Sequence, residues 1–161
     1  MYDLLAAVEG TALAEALRGS GIWTYGLINL GHIIGLSLLF GAVVILDLRL
    51  LGLWRDTALA TTTRLTVPLA GIGFVTAVVS GILMISFNAT EYEGNLFLYV
   101  KLPVIVIALL NVLVVSRLPA WRARAQRALS DAEQRQLAVG GGVSLVCWVT
   151  VVACGRMIGY S

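Results

Sequence analysis

Four long runs of apolar residues restrict this chain more than any other feature of its sequence. The runs cover residues 22–46, 66–87, 96–115 and 137–158. Each one reaches the roughly 20 residues that a helix needs to cross about 30 Å of hydrocarbon. The runs therefore predict four transmembrane helices.

The composition agrees with a protein whose solvent is lipid. Hydrophobic residues fill 59% of the 161 positions and charged residues only 12%, whereas soluble domains average about 25% charged residues. The length predicts a single domain over residues 1–161. We expect an all-α fold, an antiparallel four-helix transmembrane bundle, with the lipid bilayer as its main partner. The formal net charge of +2 is too small to indicate a nucleic-acid partner.

Residues 1–20 differ from the four runs because charged residues interrupt their apolar spacing. The segment is too polar to span the membrane, so it is predicted to be a short amphipathic helix at the interface. Gly10 and Thr11 are expected to break this helix, with Thr11 as the N-cap of its second part.

Prolines and one polar motif predict the ends of the long helices. Pro68 and Pro103 are placed in the first turns of the second and third helices, where a missing N–H costs little. Pro119 is expected to help end the third helix. Ser130 and Glu133 have the spacing of a capping box, so the fourth helix is predicted to begin in water.

Arginines in the loops predict the orientation of the chain. The first and third loops share one side of the membrane and together hold eight arginines, whereas the opposite side holds three basic residues. Because cytoplasmic loops carry an excess of Lys and Arg, both termini are predicted to lie on the non-cytoplasmic side. We expect a multi-pass protein of the bacterial inner membrane.

His32 is the only histidine and lies about ten residues into the first apolar run. With a rise of about 1.5 Å per residue, the imidazole is predicted to lie near the middle of the bilayer. An ionisable side chain at that depth is costly and is a candidate functional residue. A neutral imidazole that hydrogen-bonds a neighbouring helix would explain it equally well.

Small residues surround the histidine. Gly31 and Gly35 form a Gly-x-x-x-Gly pair, and Gly73, Ala77 and Gly81 share one stripe of the second helix. Such residues allow a second backbone, or a flat macrocycle, to approach a helix closely. Helix packing alone is a sufficient explanation for both sets.

Two further cations are predicted to lie in the same outer layer as His32. Lys101 is about one turn inside the third helix, and Arg156 is about one turn from the end of the fourth. Each could extend to the interface by itself, or both could bind the carboxylates of a cofactor. Glu91 and Glu93 in the adjoining loop are alternative partners for them.

Asp47 and Arg49, at the other end of the first helix, are expected to form an interfacial ion pair with the loop arginines. Cys147 and Cys154 are seven residues apart on one helix, about 10 Å along its axis, which is too far for a disulfide between them.

Several segments resemble a family of small, uncharacterised bacterial four-helix membrane proteins. They are residues 31–35, 46–52, 101–103 and 155–160. More distantly, the layout is similar to the haem-containing membrane protoporphyrinogen oxidase and to copper-resistance D-type membrane proteins. Both groups have a histidine in the first helix, a glycine late in the second and a lysine early in the third, which correspond to His32, Gly81 and Lys101. The resemblance to the oxidase implies haem binding by His32 and Lys101.

Residues and resemblance together favour a b-type haem-binding membrane protein, active in electron transfer or haem-dependent oxidation near the outer face. His32 is then the metal ligand, Gly35 permits close approach of the cofactor, and Lys101 and Arg156 bind the haem propionates. The second axial ligand could be Lys101, a methionine or a residue of a partner chain, or the second axial site could be open. A homodimer could supply two copies of the histidine.

Two other functions fit the same residues. In a copper-binding or copper-transport protein, His32 would bind copper together with a soft ligand, for which the choices are Met84, Met157 and Cys154. In a structural subunit without a cofactor, His32 would serve packing only. The substrate, the redox partner and any enzymatic activity are not indicated by the sequence.

Overall fold

The structure is a computed structural model that describes residues 2–160, and the side chains among them except those of residues 2–4 and 22. Met1 and Ser161, the two ends of the predicted single domain, lie outside the described residues. So does the first position of the predicted interfacial helix.

The described chain is all-α and contains no β-strand. Its elements, in chain order, are α1 (Tyr2–Glu9), α2 (Ala12–Gly19), α3 (Ile22–Leu51), α4 (Leu59–Phe87), a 3₁₀ turn (Ala89–Tyr92), α5 (Leu96–Arg117), α6 (Pro119–Ala123) and α7 (Asp131–Ile158). Four of these helices, α3, α4, α5 and α7, are long and apolar enough to cross a membrane. The predicted fold class, all-α with four transmembrane helices, is therefore confirmed.

Three of the long helices extend beyond their apolar runs into polar sequence. α3 continues to Leu51, α4 begins at Leu59, and α7 begins at Asp131. The start of α7 has the predicted capping box, because the Ser130 side chain accepts a hydrogen bond from Glu133 N and the Glu133 carboxylate accepts one from Ser130 N at 2.9 Å. This cap satisfies backbone donors that would otherwise lack partners.

The prediction for two prolines is wrong. Pro68 and Pro103 lie inside α4 and α5, in about the third turn of each helix. α4 starts seven residues before its apolar run, so a position near the start of the run lies well inside the helix. Helices in membranes tolerate such prolines because neighbouring groups satisfy the freed carbonyls. Pro119, by contrast, follows the end of α5 as predicted and occupies the first turn of α6.

The N-terminal segment forms two short helices separated at Gly10 and Thr11, as predicted. Thr11 Oγ1 accepts a hydrogen bond from Ala14 N at 3.3 Å and so caps α2. The placement of these helices at the membrane interface stays a prediction.

The chain divides into two compact units, which are described separately. The first unit comprises Met1–Leu39 and Gly71–Asn95. In it α1 is bound to the 3₁₀ turn through Glu9, whose Oε2 accepts hydrogen bonds from Thr90 N at 2.9 Å and Thr90 Oγ1 at 2.8 Å. Arg18 donates to the carbonyl oxygens of Glu9 and Phe87 at 2.9 and 3.0 Å. These contacts hold the N-terminal helices against the end of α4.

The second unit comprises Phe40–Ala70 and Leu96–Ser161. Here α5 packs along α7, and Asn111 Nδ2 donates to Gly140 O at 2.9 Å. A side chain at Gly140 would overlap the Val115 side chain, so the glycine permits the close approach of the two helices. One cluster of buried hydrophobic residues in this unit comprises Leu50, Leu59, Val115, Ala120 and Leu137.

Candidate functional site

His32 lies on α3 in the first unit, and its side chain is half-buried. The Nδ1 atom is 3.0 Å from Ser80 Oγ on α4. Ser80 itself is only 7% exposed. The imidazole is therefore held against α4 by a polar contact inside an apolar helix pair.

The hydroxyl of Ser80 determines which imidazole nitrogen carries the proton. Ser80 Oγ lies 2.5 Å from Thr76 O, one turn earlier in α4, and donates to it. A serine hydroxyl has a single hydrogen. With that hydrogen directed to Thr76, the contact with His32 requires Nδ1–H to donate to Ser80 Oγ. In the neutral imidazole, Nε2 then carries the lone pair.

Gly81 lies directly beside the imidazole ring. A Cβ atom added at Gly81 would be 3.2 Å from Cε1 and 3.6 Å from Nδ1 of His32. The absence of a side chain at this position therefore gives the ring its place against α4. The resemblance to the oxidase family named Gly81 as a shared position, and the structure brings it into contact with His32.

The two glycines around the histidine have different environments. An added Cβ at Gly35 would lie 2.8 Å from Ala77 N, 3.0 Å from Thr76 Cβ and 3.1 Å from Gly73 O, whereas one at Gly31 would meet nothing within 4 Å. Gly35 is thus at the crossing of α3 with α4. The predicted role of Gly35 beside a cofactor stays a prediction.

The small-residue stripe of α4 forms the other half of that crossing, as the helix-contact interpretation of the sequence expects. A side chain at Gly73 would overlap the backbone of Leu39, and its Cβ would lie 2.7 Å from Gly35 O. Ala77, one turn later, is buried at 7% exposure. Backbone atoms of α3 and α4 therefore meet directly at this point.

Lys101 and Arg156 both belong to the second unit. Lys101 on α5 is half-buried, and its Nζ would be 3.3 Å from a Cβ added at Gly155 of α7. The lysine ammonium therefore lies beside the residue that precedes Arg156.

Arg156 is exposed and bends towards the end of its own helix. Its guanidinium lies 4.4 Å from the centre of the Tyr160 ring and donates to the Tyr160 hydroxyl. This stacking is a cation–π contact between a planar guanidinium and an aromatic face. The predicted layer shared by His32, Lys101 and Arg156 stays a prediction.

The expected ion pair of Asp47 with Arg49 and the loop arginines is wrong. Asp47 is 3% exposed and accepts a hydrogen bond from Ser144 of α7, and among residues 2–160 the structure has no ion pair for it. Arg49 donates instead to Thr57 O at 2.8 Å. Residues two apart on a helix do not face each other, so Asp47 faces the protein and Arg49 the loop.

The copper alternative, with Met84, Met157 or Cys154 beside His32, stays a prediction. Within residues 2–160, no group of three or more His, Cys, Asp and Glu side chains is arranged to hold a metal ion. Cys147 and Cys154 are both buried and unbonded to each other, as their spacing predicts.

Sequence reasoning identified His32 and Gly81 but missed Ser80. A hydroxyl residue next to Gly81 in an apolar helix was the available signal. Whether this hydroxyl matters depends on which turn of α4 faces His32. The crossing of α3 and α4 at Gly35 and Gly73 determines which turn that is. Sequence spacing within one helix does not contain this information.

Comparison with known proteins supplies a family but no activity. A family model described as "Family of unknown function (DUF6644)" matches residues 17–161. No curated protein and no solved structure gives a match to the chain. The predicted resemblance to an uncharacterised family is confirmed, while the resemblances to the oxidase and to the copper-resistance proteins stay expectations.

Proposed function

The chain belongs to the DUF6644 family, whose function is unknown, and we propose that it is a haem-binding membrane protein in which His32 is an axial ligand of a b-type haem. The observation that carries this proposal is the hydrogen-bonded series His32 Nδ1–H to Ser80 Oγ to Thr76 O. Histidines that bind metals usually donate their second N–H to a fixed acceptor, which sets the tautomer and orients the ring.

The residues around His32 fit the requirements of an axial ligand. With Nδ1–H donating to Ser80, a neutral imidazole would carry its lone pair on Nε2, the form that binds a metal. Ser80 fixes the ring orientation and increases the basicity of Nε2. Gly81 leaves room for the ring edge, since a Cβ there would be 3.2 Å from Cε1. When bound, haem would supply one-electron redox chemistry.

The cations of the second unit are proposed as partners of the haem propionates. Lys101 Nζ lies beside Gly155 of α7, the helix that also carries Arg156. Two propionates need two such partners, and Arg can bind a carboxylate through paired N–H donors. The role proposed for such a protein is electron transfer or haem-dependent oxidation near the outer face of the membrane.

The proposed location is the bacterial inner membrane with both termini on the non-cytoplasmic side. Support comes from the eight arginines that lie in, or within a few residues of, the connections after the first and third long helices, since such connections are usually cytoplasmic. Alkylation of single cysteines placed in these loops and at the C-terminus, in intact cells, tests the orientation. We expect labelling of the C-terminal site and protection of the loop sites in a Cys147→Ala, Cys154→Ala background.

A matched pair of serine variants tests the haem proposal. Ser80 and Ser86 are both buried in α4, and each donates to a carbonyl one turn earlier, but only Ser80 contacts His32. Loss of such a second-layer partner typically weakens metal affinity about 10- to 100-fold. We expect Ser80→Ala to lose haem during purification in detergent and Ser86→Ala to retain it, as measured by the haem-to-protein ratio.

The outcomes of this comparison are distinct. Equal haem content in the two variants would contradict the role of Ser80. A protein that contains no haem when purified from haem-replete cells would contradict the function itself, and elemental analysis for copper would then test the metal alternative.

A further inference from the structure

The first unit contains a second feature that the proposed haem site does not use, a cavity of about 260 Å³. It lies where α3 begins and α4 ends, and is lined by Tyr25, Met84, Phe87, Asn88, Glu91 and Tyr92. Its volume is below the roughly 300–1,000 Å³ of sites for drug-sized ligands. The cavity therefore suits a small chemical group.

Two walls of the cavity are aromatic rings set nearly at right angles. The centres of the Tyr25 and Phe87 rings are 5.3 Å apart, and the ring planes meet at 84°. Both rings line the cavity in this edge-to-face arrangement. Aromatic faces attract cations through the ring quadrupole.

Tyr92 brings a third ring and is electrostatically coupled to the other polar groups. Burial raises the pKa of the Tyr92 hydroxyl, and the nearby Tyr25 hydroxyl and Glu91 carboxylate raise it further. These groups therefore lie close enough to interact with one another. Three aromatic rings and a carboxylate converge on one cavity.

The charge of the unit also favours a cation. Its two chain segments contain five acidic residues and one arginine, Arg18, a formal charge of −4. The guanidinium of Arg18 is engaged with the main-chain carbonyls of Glu9 and Phe87. Glu91 is one of the residues that line the cavity, and among the described residues no cationic side chain forms an ion pair with it.

We propose that this cavity binds a small organic ammonium group, which the aromatic rings surround and Glu91 neutralises. The ammonium could belong to a zwitterionic lipid headgroup or to a free quaternary amine, since the chemistry of recognition is the same. The site is independent of haem binding at His32.

Titration with tetramethylammonium chloride tests the site. The full-length protein is purified in a maltoside detergent, and binding is measured by saturation-transfer NMR at constant ionic strength with sodium chloride as the balance. We expect saturable binding that weakens about two- to fivefold in Glu91→Gln. Glu93→Gln removes the same charge two residues away from a side chain that does not line the cavity, and it should leave the affinity unchanged.

A second pair of variants distinguishes the contribution of the Tyr92 ring to binding from an effect on folding. Tyr92→Phe keeps the ring and should bind as the wild type does, whereas Tyr92→Leu should bind about two- to fivefold more weakly. Circular dichroism and gel filtration confirm that each variant is folded. Absence of saturable binding in the wild type, or equal affinities in the Glu91 and Glu93 variants, would overturn the proposal.

Lipid nanodiscs distinguish the two sources of the ammonium group. If a lipid headgroup fills the cavity, tetramethylammonium should bind in phosphatidylglycerol nanodiscs but be excluded in phosphatidylcholine nanodiscs. If the ligand is a free amine, binding should be the same in both. Either result supports an ammonium site, and the haem content of the protein should not change in any of these variants.

Discussion

Replacement of Gly35 by alanine should make the protein less stable than replacement of Gly31 by alanine. Both glycines lie on α3, one turn apart, on either side of His32. Alanine gains about 0.5–1 kcal/mol over glycine in a helix interior because it loses less backbone entropy on folding. This gain applies to both variants, so it cancels when they are compared.

The difference between the variants arises from the crossing with α4. The new methyl group at Gly35 would lie 2.8 Å from Ala77 N, 3.0 Å from Thr76 Cβ and 3.1 Å from Gly73 O. Two of these atoms are backbone, so they cannot move without moving the helix. Overpacking of this kind costs about 1–3 kcal/mol. At Gly31 the methyl group would meet nothing within 4 Å.

We therefore expect Gly35→Ala to be less stable than Gly31→Ala by about 1–3 kcal/mol. Gly31→Ala should be as stable as the wild type or more stable. Reversible unfolding in mixed micelles of increasing dodecyl sulfate fraction, followed by circular dichroism, measures both free energies. Equal stability of the two variants, or a more stable Gly35→Ala protein, would refute the close crossing of α3 and α4.

Three further predictions concern other contacts. The pKa of Glu9 is held below its usual range, mainly by the hydrogen bond from Thr90 N–H, so this contact stabilises the fold above the ordinary glutamate pKa and is lost as pH falls through the lowered value. The protection factor of the Thr90 amide, which is its exchange rate corrected for the intrinsic effect of pH, should therefore fall in acid. In Glu9→Gln the protection factor should not change with pH, and a pH-independent protection factor in the wild type would contradict the contact. Ser130→Ala should lower stability by about 1 kcal/mol through loss of the α7 cap, measurable in the same micelle assay, and an unchanged midpoint would argue against the cap. Asn111→Leu should cost about 0.6 kcal/mol for one interhelical hydrogen bond in a membrane, and a stabilised variant would contradict that bond.

The helices themselves were predictable from local information. The length of each apolar run depends on one continuous segment of the chain. The Gly10–Thr11 break and the Ser130 capping box depend on residues within a few positions of one another. The prolines show where this reasoning fails, because Pro68 was located relative to an apolar run that starts seven residues after α4 does.

Contacts between helices were much less predictable. The pairing of His32 with Ser80 spans 48 positions and depends on the offset at which α3 and α4 cross. Asp47 was expected to pair with arginines because of their proximity in sequence, but its direction on the helix places it against Ser144. His32 and Asp47 stand out in the sequence because they are polar residues in apolar helices. Their partners, Ser80 and Ser144, are known only from the packing of the helices.

The visible absorption spectrum of the purified protein tests the central claim most directly. The wild type and a His32→Ala variant are compared in mild detergent, first oxidised and then reduced with dithionite. The proposal predicts a Soret band and sharpened α and β bands on reduction in the wild type, all lost in the variant. A colourless wild-type protein from haem-replete cells, or a haem spectrum unchanged by His32→Ala, would contradict the proposal.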